Sequence, residues 1–491
     1  IVSGKMSMKK SIDVISPTTG NVMGTVGVTT DKDIERALSA ATKSHKSWNK
    51  LGGIARAEIL NAAADALEAK CQYFMGLIAE EAGRTLADGL SEVREAVDFL
   101  RYYAGQAAEN FEGGKVLPGP TGESNELFLQ GRGPFLCISP WNFPLAIFVG
   151  QVTAALAAGN TVIAKPAEQT PIVAAEAIKI MHEAGVPVDV LHMLPGDGVH
   201  IGAKLVADER ICGVAFTGST DTAKIINRSL AARNGAIVPL IAETGGQNVM
   251  IVDSTALPEQ VVDDAISSAF QSAGQRCSAL RVLYVQEDVA DVVIPMIKGA
   301  MDCLSLGNPS DLSTDVGPVI DQTARELLVN HAQRMDKEAS LINGLECPAE
   351  YENGTFFGPR LYEISSLDQL KKEVFGPILH VIRYKASKLD DILAQIQNTG
   401  FGLTLGVHSR IEESAKYIFN NLDVGNTYVN RNIVGAVVGV QPFGGQGLSG
   451  TGPKAGGPRY LYRFATEKTL TINTVATGGN TELFAMEEDD V

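Results

Sequence analysis

Residues 161–185, TVIAKPAEQTPIVAAEAIKIMHEAG, decide the fold class. They contain a short run rich in valine and isoleucine, a turn bounded by prolines, and then apolar residues at helical spacing. The same alternation recurs on both sides, in the apolar runs FLCIS (135–139), VLHMLP (190–195), GVAFTG (213–218) and IVPLIA (237–242). This order is typical of βαβ units around a parallel sheet, so the sequence predicts an α/β fold that could bind a nucleotide.

The segments outside this alternation extend the pattern. Apolar residues at helical spacing predict amphipathic helices across 33–110. A second α/β series starts near residue 246 and includes NVMIVD (248–253) and ALRVLYVQ (279–286). Alternating residues predict strands, paired in a protruding flap, in SNELFLQGRG (124–133) and YLYRFATEKTLTINT (460–474).

The segment 435–457, GAVVGVQPFGGQGLSGTGPKAGG, is too rich in glycine for regular structure. Glycine lets the backbone approach other groups closely because it lacks a side chain. The segment therefore predicts backbone that lies against a ligand or another chain.

The composition disfavours several classes of function. The chain has 491 residues, and Lys+Arg 41 against Asp+Glu 57 gives a net charge of −16, which disfavours nucleic acid and anionic membranes as partners. The six cysteines form no CxxC pair and are too sparse for a disulfide scaffold, so we expect reduced thiols and a cytoplasmic location. The apolar stretch 144–164 contains polar residues and predicts a buried helix followed by a strand.

The segment SAGQRCSALR (272–281) carries the strongest local signal for chemistry. It places Cys277 in a connection between a predicted helix and a predicted strand. A thiolate there could act as a nucleophile, although a free cysteine is more often a small buried hydrophobe. Two other polar residues favour the nucleophile: Glu243 at a predicted strand end, and Asn142 in a proline-bounded loop.

Seven motifs resemble those of the NAD(P)-dependent aldehyde dehydrogenase superfamily, in the same order and over nearly the whole chain. They are PWNFP (140–144), TVIAKPAEQTP (161–171), FTGST (216–220), AETGGQN (242–248), GQRCS (274–278), EVFGP (373–377) and QPFGGQGLSG (441–450). Within the superfamily, the forms around Glu243, around Cys277 and at 452–474 are most similar to the Δ1-pyrroline-5-carboxylate (L-glutamate γ-semialdehyde) dehydrogenase module of bifunctional proline utilization A proteins.

The resemblance implies a reaction and a role for each catalytic residue. Cys277 would add to the aldehyde to form a thiohemiacetal, which collapses to a thioester as hydride leaves. The side-chain amide of Asn142 and the backbone N–H of Cys277 would hold the oxyanion. Glu243 would be the general base that activates the hydrolytic water. Without the family, the alternatives are a turn-forming amide for Asn142 and a solvated carboxylate for Glu243.

The resemblance also implies NAD as the cofactor. Lys165 and Glu168 would hold the adenosine ribose, and Glu168 would repel the 2′-phosphate of NADP. Glu373 would bind the nicotinamide ribose, with Phe375 packed nearby. The family also implies cofactor contacts at Ser139, Trp141, Thr217, Gly218 and Ser219, the last two at a strand-to-helix junction where N–H groups can face a pyrophosphate. An ordinary helix N-cap is the alternative for Gly218 and Ser219, because GxGxxG is absent.

The expected substrate is L-glutamate γ-semialdehyde, which is oxidised to L-glutamate in proline catabolism. By resemblance, Ser278 and the backbone amides of Gly435 and Ala436 would bind its carboxylate. Phe143 and Phe443 would flank its aliphatic stem, and Glu95 is a candidate for the ammonium group, with a solvated helix face as the alternative. Another semialdehyde, such as succinate semialdehyde, and a non-catalytic NAD-binding relative remain as alternatives. No metal site is predicted, because the histidines are scattered and HExxH is absent.

The resemblance divides the chain into three parts and names partners. The NAD-binding Rossmann-variant domain would comprise 1–119 and 133–245, and the α/β catalytic domain 246–434. Residues 435–458 would return towards the active site, 120–132 and 459–475 would form a β-flap for homodimerisation, and 476–491 would be a tail. A flavin-bearing proline dehydrogenase would be the upstream partner, either in the same natural chain or as a separate protein.

Overall fold

The computed structural model describes residues 11–477. Its strands are β1 Ser11–Ile15, β2 Val22–Gly27, β3 Lys115–Leu117, β4 Glu123–Gly131, β5 Pro134–Ile138, β6 Thr161–Lys165, β7 Leu191–Met193, β8 Gly213–Thr217, β9 Leu240–Glu243, β10 Val249–Val252, β11 Val282–Gln286, β12 Ser340–Gly344, β13 Arg360–Glu363, β14 Ile378–Tyr384, β15 Phe401–Gly402, β16 Thr404–His408, β17 Asn426–Val429, β18 Gln446–Gly447 and β19 Ala465–Asn473. Its helices are α1 Asp31–Lys50, α2 Gly53–Ala69, α3 Cys71–Ala82, α4 Leu86–Asn110, α5 Ala146–Ala157, α6 Pro171–Glu183, α7 Ala203–Ala207, α8 Thr220–Ala231, α9 Pro258–Phe270, α10 Glu287–Asp302, α11 Gln322–Glu338, α12 Leu389–Asn398, α13 Glu412–Asn421 and α14 Tyr460–Phe464.

A parallel five-stranded sheet with the order β7-β6-β5-β8-β9 forms the first core. Its strands are almost wholly apolar because helices cover both faces. Alternate residues of β5 point into different clusters: Phe135 and Cys137 pack with α2, α4, α5 and α6, whereas Leu136 packs with α1, α7 and α8. The α/β alternation, the helices across 33–110 and the buried helix within 144–164 are confirmed.

The strand order of this sheet locates a binding crevice. The chain leaves β5 in one direction to β6 and β7, then returns to the other side for β8 and β9. In open α/β sheets, ligands bind outside the carboxyl ends of the strands at such a reversal. Here the reversal lies between β5 and β8. Ser139 and Gly218 are the residues that directly follow these two strands.

A seven-stranded sheet with the order β12-β13-β14-β11-β10-β16-β17 forms the second core. All its pairs are parallel except β12 with β13. Its central strands β10 and β11 are fully buried, and α9 and α10 pack in the same apolar cluster. The start of this core at β10 agrees with the second α/β series expected near residue 246.

A three-stranded antiparallel sheet, β19-β4-β3, contains both predicted flap strands and corrects two boundaries. The sheet includes β3, because β3 pairs with β4, although β3 lies within the part assigned to the NAD-binding domain. Residues 460–464, expected as strand, form α14, since their aromatic rings pack on α4 and α5. The β1–β2 hairpin was not predicted from the sequence. Residues 1–10 of the expected first domain and residues 478–491 of the expected tail lie outside the described residues. Within 11–477 there is no helix with the length and apolarity needed to traverse a bilayer.

Candidate active site

Cys277 lies in the connection between α9 and β11, as the sequence predicts. The turn before it contains two non-glycine residues in the left-handed region, Ser272 (φ 56°) and Ala273 (φ 52°). Such conformations persist only where the surroundings hold them. Asn248 supplies part of that support, since its side-chain amide donates to the carbonyl oxygen of Cys277 at 2.6 Å.

Arg281 organises the same connection and was not among the residues predicted from the sequence. Its side chain is 1% exposed. One guanidinium nitrogen donates to the carbonyl of Gly274 at 2.7 Å, and another donates to the carbonyl of Arg276 at 3.0 Å and to Glu373 Oε1 at 3.2 Å. Arg281 therefore ties the nucleophile segment to Glu373. An arginine directly before the apolar run of β11 was the available signal.

The surroundings of the Cys277 thiol disfavour its ionised form. Burial, followed by the charges of Glu373, Glu243 and Glu95, raises the pKa of Cys277 to about 12, while the N–H of Ser278 opposes them. The thiol must therefore give up its proton before it can react as a nucleophile. The three carboxylates that raise the pKa of Cys277 all belong to residues that the sequence predicted for the site.

Glu243 ends β9 and lies against the glycine-rich segment. Its Oε2 accepts the N–H of Gly445 at 3.1 Å, whereas its buried Oε1 has no hydrogen-bond partner within residues 11–477. Burial raises the pKa of Glu243 to about 8 despite Gly445 and the charge of Lys454. A Cβ on Gly444 would come within 2.8 Å of Oε1, so the carboxylate lies close against the glycine-rich backbone. The solvated alternative for Glu243 is therefore wrong.

Asn142 lies in the loop after β5 and faces the nucleophile segment. Its side-chain amide donates to the carbonyl of Gln275 at 3.1 Å, and its own carbonyl accepts from buried Arg84. A carboxamide carries two N–H donors, so a second one remains for an oxyanion. This contact brings the first core to within two residues of Cys277.

Four buried charges surround Phe143 and join α4 to the site. Arg276 contacts Asp88 at 2.7 Å, and Arg84 contacts Glu92 at 3.3 Å. Both guanidinium groups lie over the Phe143 ring, at 4.2 Å for Arg84 and 5.4 Å for Arg276. The half-buried Glu95 lies nearby, where burial and the charge of Glu92 raise its pKa to about 7. Phe143 and Glu95 thus lie beside the nucleophile, as predicted for substrate contacts.

Removing one partner of the Arg276–Asp88 pair should destabilise the fold strongly. Asp88 is fully buried, so Asp88→Asn leaves the Arg276 charge uncompensated. We expect the free energy of unfolding to fall by about 3–5 kcal/mol, as measured by urea denaturation. Asp65 forms an exposed pair with Arg101 and provides the control: Asp65→Asn should cost less than about 1 kcal/mol. Equal losses for the two variants would contradict this account.

Except for Glu373 and Phe375, the residues predicted to bind a cofactor lie at or just after the carboxyl ends of β5, β6 and β8. Buried Lys165 ends β6 and donates to Glu168 at 3.3 Å, and Glu168 is 43% exposed. Burial lowers the pKa of Lys165. Ser139 donates its N–H to the Lys165 carbonyl at 3.2 Å, and Thr217 accepts from Gln151 at 2.9 Å.

The start of α8 shows the ordinary capping arrangement together with open donors. The side chain of Ser219 accepts the N–H of Thr222 at 3.2 Å, and Gly218 donates its N–H to the Glu243 carbonyl at 3.1 Å. Within residues 11–477, the N–H groups of Thr220 and Asp221 donate to no other group. The helix start can therefore both be capped and face an anion.

Glu373, Phe375 and Trp141 meet in front of the nucleophile segment. The Trp141 ring packs edge-on against Phe375 at 5.5 Å, and Arg281 lies over Phe375 at 5.1 Å. Burial raises the pKa of Glu373, while Arg281 and the N–H of Gly246 oppose this. A Cβ on Gly245 would clash with Glu373, so the carboxylate lies directly against backbone.

The remaining predicted substrate residues lie on loops of the second core and the glycine-rich segment. Ser278 is buried next to Cys277, and its carbonyl accepts from Thr404 at 3.2 Å. Gly435 and Ala436 follow β17, and Phe443 pairs its backbone with Ala455. All the predicted site residues lie in the same region of the fold. Their substrate and cofactor roles stay predictions.

Comparisons with known proteins agree with this geometry. The sequence profile of the Aldehyde dehydrogenase family matches residues 4–470. "Bifunctional protein PutA" of Klebsiella aerogenes is 51% identical over 456 residues, which are 91% of this chain and 34% of that relative. The 1-pyrroline-5-carboxylate dehydrogenase of Geobacillus sp. (strain WCH70) is 37% identical over 457 residues, 92% of this chain and 87% of that relative.

A solved structure is similar over nearly the whole chain. The 1-pyrroline-5-carboxylate dehydrogenase from Thermus with bound NAD has a TM-score of 0.91 and 33% identity, and the match covers 96% of this chain and 92% of that one. The chain spans about a third of the length of the bifunctional relatives.

Proposed function

The chain belongs to the aldehyde dehydrogenase family, and from this premise we propose that it oxidises L-glutamate γ-semialdehyde, the open form of Δ1-pyrroline-5-carboxylate, to L-glutamate with NAD. One observation carries the proposal: the Cys277 thiol, the Glu243 carboxylate and the Asn142 amide converge where the two cores meet. Relatives that match most of this chain are named 1-pyrroline-5-carboxylate dehydrogenase, and this similarity supports the proposal.

The proposed chemistry follows from the surroundings of each group. Cys277 gives its proton to a water molecule and its sulfur forms a bond to the aldehyde carbon, while the carbonyl π electrons move to oxygen; the resulting oxyanion accepts hydrogen bonds from Asn142 and the Cys277 backbone N–H. After oxidation the substrate is a thioester on Cys277. Glu243 then takes a proton from a water molecule, whose oxygen forms a bond to the thioester carbon. The C–S bond breaks and the proton passes from Glu243 to sulfur, which releases the carboxylic acid and the thiol. The unpartnered Oε1 of Glu243 is the atom available for this proton.

NAD supplies the hydride acceptor in this family, and the residues present fit it. Carboxylates at Glu168 and Glu373 can accept from ribose hydroxyls, and the open N–H groups at the start of α8 can face phosphate. All of these lie at the carboxyl ends of the first sheet or directly opposite them. Lys165, Ser139, Trp141, Thr217 and Phe375 would complete the site.

Glu168→Gln should relax the discrimination against NADP. A carboxylate at Glu168 repels a 2′-phosphate, whereas an amide of the same shape does not. We expect the ratio of kcat/KM for NAD to that for NADP to fall about tenfold or more, because one like-charge contact at a partly exposed site contributes on the order of 1–2 kcal/mol. Initial rates with both cofactors measure the ratio. Glu176→Gln on α6 is the control, and a ratio unchanged by Glu168→Gln would refute the assignment.

Substrate preference tests the proposed function directly. NADH formation should be followed with Δ1-pyrroline-5-carboxylate, succinate semialdehyde and an aliphatic aldehyde, each with NAD and with NADP. A clear preference for the first substrate with NAD is expected. Activity only on another aldehyde would retain the catalytic residues and reject the substrate assignment. No activity at all would favour the non-catalytic alternative.

The partners and the location belong to the same proposal. We propose a homodimer in which the sheet of β3, β4 and β19 contacts the partner chain, since its exposed apolar residues include Val116, Leu470 and Ile472. A proline dehydrogenase with flavin would supply the substrate, as the name of the bifunctional relatives and their greater length suggest. The six free cysteines support a reducing, cytoplasmic location.

A further inference from the structure

Guanidinium groups hold the carbonyl oxygens of two successive peptide units in the loop after β17. Arg276 Nη1 donates to the carbonyl of Val434 at 3.2 Å, and Arg431 Nη2 donates to the carbonyl of Gly435 at 2.7 Å. Within residues 11–477, the N–H groups of Gly435 and Ala436 donate to no other group. These two N–H groups belong to the same two peptide units as the held carbonyls.

The held carbonyls fix the direction of the N–H groups. Both peptide bonds are trans, and in a trans unit the C=O and N–H vectors point in opposite directions. Each N–H therefore points away from the guanidinium that binds its carbonyl. A charged donor on the carbonyl also polarises the peptide unit, which strengthens its N–H as a donor. Together the two units present two N–H donors in adjacent peptide units, which an anion can accept.

The arginines are themselves fixed in place. Arg431 lies over the Tyr428 ring at 5.0 Å and donates through Nε to the carbonyl of Asn432 at 3.2 Å. Arg276 donates through Nε to Ser272 at 2.9 Å and pairs with buried Asp88. A Cβ on Gly435 would lie 3.1 Å from Arg431 Nη2, so glycine lets the loop approach the guanidinium.

Arg276 also precedes Cys277 directly in the chain. One side chain therefore connects the nucleophile segment to the loop that carries the two donors. This connection ties the position of the loop to that of the nucleophile segment.

We propose that Arg276 and Arg431 are positioning residues that orient the Gly435 and Ala436 N–H groups towards the carboxylate of a semialdehyde substrate. The proposal rests on the proposed function, because it needs a substrate with a carboxylate remote from the aldehyde. Neither arginine contacts the substrate. They set its specificity through the loop, and Arg431 is the better one to test because it does not touch the nucleophile segment.

The test compares two aldehydes on Arg431→Met, Arg431→Lys and the parent enzyme. For Δ1-pyrroline-5-carboxylate, we expect the KM of Arg431→Met to rise 10- to 100-fold with kcat changed less than threefold. For propanal, which lacks a carboxylate, kcat/KM should fall by less than threefold. Arg431→Lys retains the charge and one donor and should lie between the parent and Arg431→Met.

A matched control and a binding measurement separate positioning from a general loss of structure. Arg325 also donates to a backbone carbonyl, that of Phe356 at 3.0 Å, but it makes no hydrogen bond to the loop after β17 within residues 11–477, and Arg325→Met should not change the ratio of the two aldehydes. L-Glutamate, the product, carries the same carboxylate, so its competitive inhibition constant should rise in parallel with the KM. If Arg431→Met does not fold, Arg431→Lys and this inhibition constant decide the question.

Each outcome supports or overturns a distinct claim. Equal losses on both aldehydes, or a KM for Δ1-pyrroline-5-carboxylate that does not change, would overturn the positioning role and leave the proposed function intact. A parent enzyme without preference for the carboxylate-bearing aldehyde would overturn both the proposed function and this proposal.

Discussion

Cys277→Ala is expected to abolish aldehyde oxidation and to leave NAD binding intact. No other thiol in the described structure is surrounded by Glu243, Glu373 and the Asn142 loop, so no group can replace the nucleophile. We expect kcat to fall by at least about 10⁴-fold, because a missing nucleophile cannot be compensated by the rest of the site. NADH formation measures turnover, and quenching of protein fluorescence measures NAD binding.

Cys303→Ala provides the matched control for this result. Cys303 is exposed at the end of α10, away from the site, so its loss should change kcat less than twofold. Cys277→Ala turning over at the parental rate would refute the covalent mechanism. Loss of NAD binding together with turnover would indicate a folding defect instead.

Glu243→Gln is expected to stop the reaction after the first half. The variant retains Cys277 and can form the thioester, but it lacks the base that activates water. We expect a burst of about one NADH per active site followed by a steady rate at least about 10²-fold below that of the parent. Rapid mixing under excess substrate measures both phases. A parental steady rate would exclude Glu243 as the base, and a missing burst would show that it also deprotonates Cys277.

The raised pKa of Glu243 predicts two pH dependences with opposite consequences. The base is the ionised form, so kcat should rise as the pH increases through about 8. The folded carboxyl holds its proton more tightly than the unfolded one, whose ordinary pKa is 4.5, so this group lowers the stability of the parent as the pH rises from 4.5 to about 8. The Glu243→Gln variant has no ionisable group at this position, so its stability does not fall for this reason. Urea denaturation of both proteins across this pH range should therefore show a widening advantage for the variant.

The sequence predicted elements whose pattern is local. The strands of the first sheet, β10 and β11 of the second sheet and the helices across 33–110 follow from their periodicity, and the segments around Cys277 placed it in its connection. The β1–β2 hairpin was missed because its residues are largely exposed and lack a strong apolar alternation. The helical turn at α14 was missed because packing against α4 overrides the strand-like sequence that continues into β19.

The support of the candidate site could not be predicted, because it depends on contacts between distant segments. Arg281 joins the nucleophile turn to Glu373, which lies 92 residues further along the chain. Asp88 meets Arg276 across 188 residues. No local pattern indicates which buried arginine will meet which carboxylate. The motifs therefore identified the reactive groups, while the ion pairs and backbone contacts that hold them became visible only in three dimensions.

The division of the reactive groups between two cores has a consequence for how this protein loses activity. Asn142 and Glu243 are carried by the first sheet, whereas Cys277 is carried by the second. A slip of about 1 Å between two intact cores is enough to misalign reacting atoms. The catalytic rate therefore depends on how the two cores are aligned, and it can fall while each core is still folded. In a urea titration, turnover should disappear before the circular dichroism of the helices changes, and dilution should restore it at once.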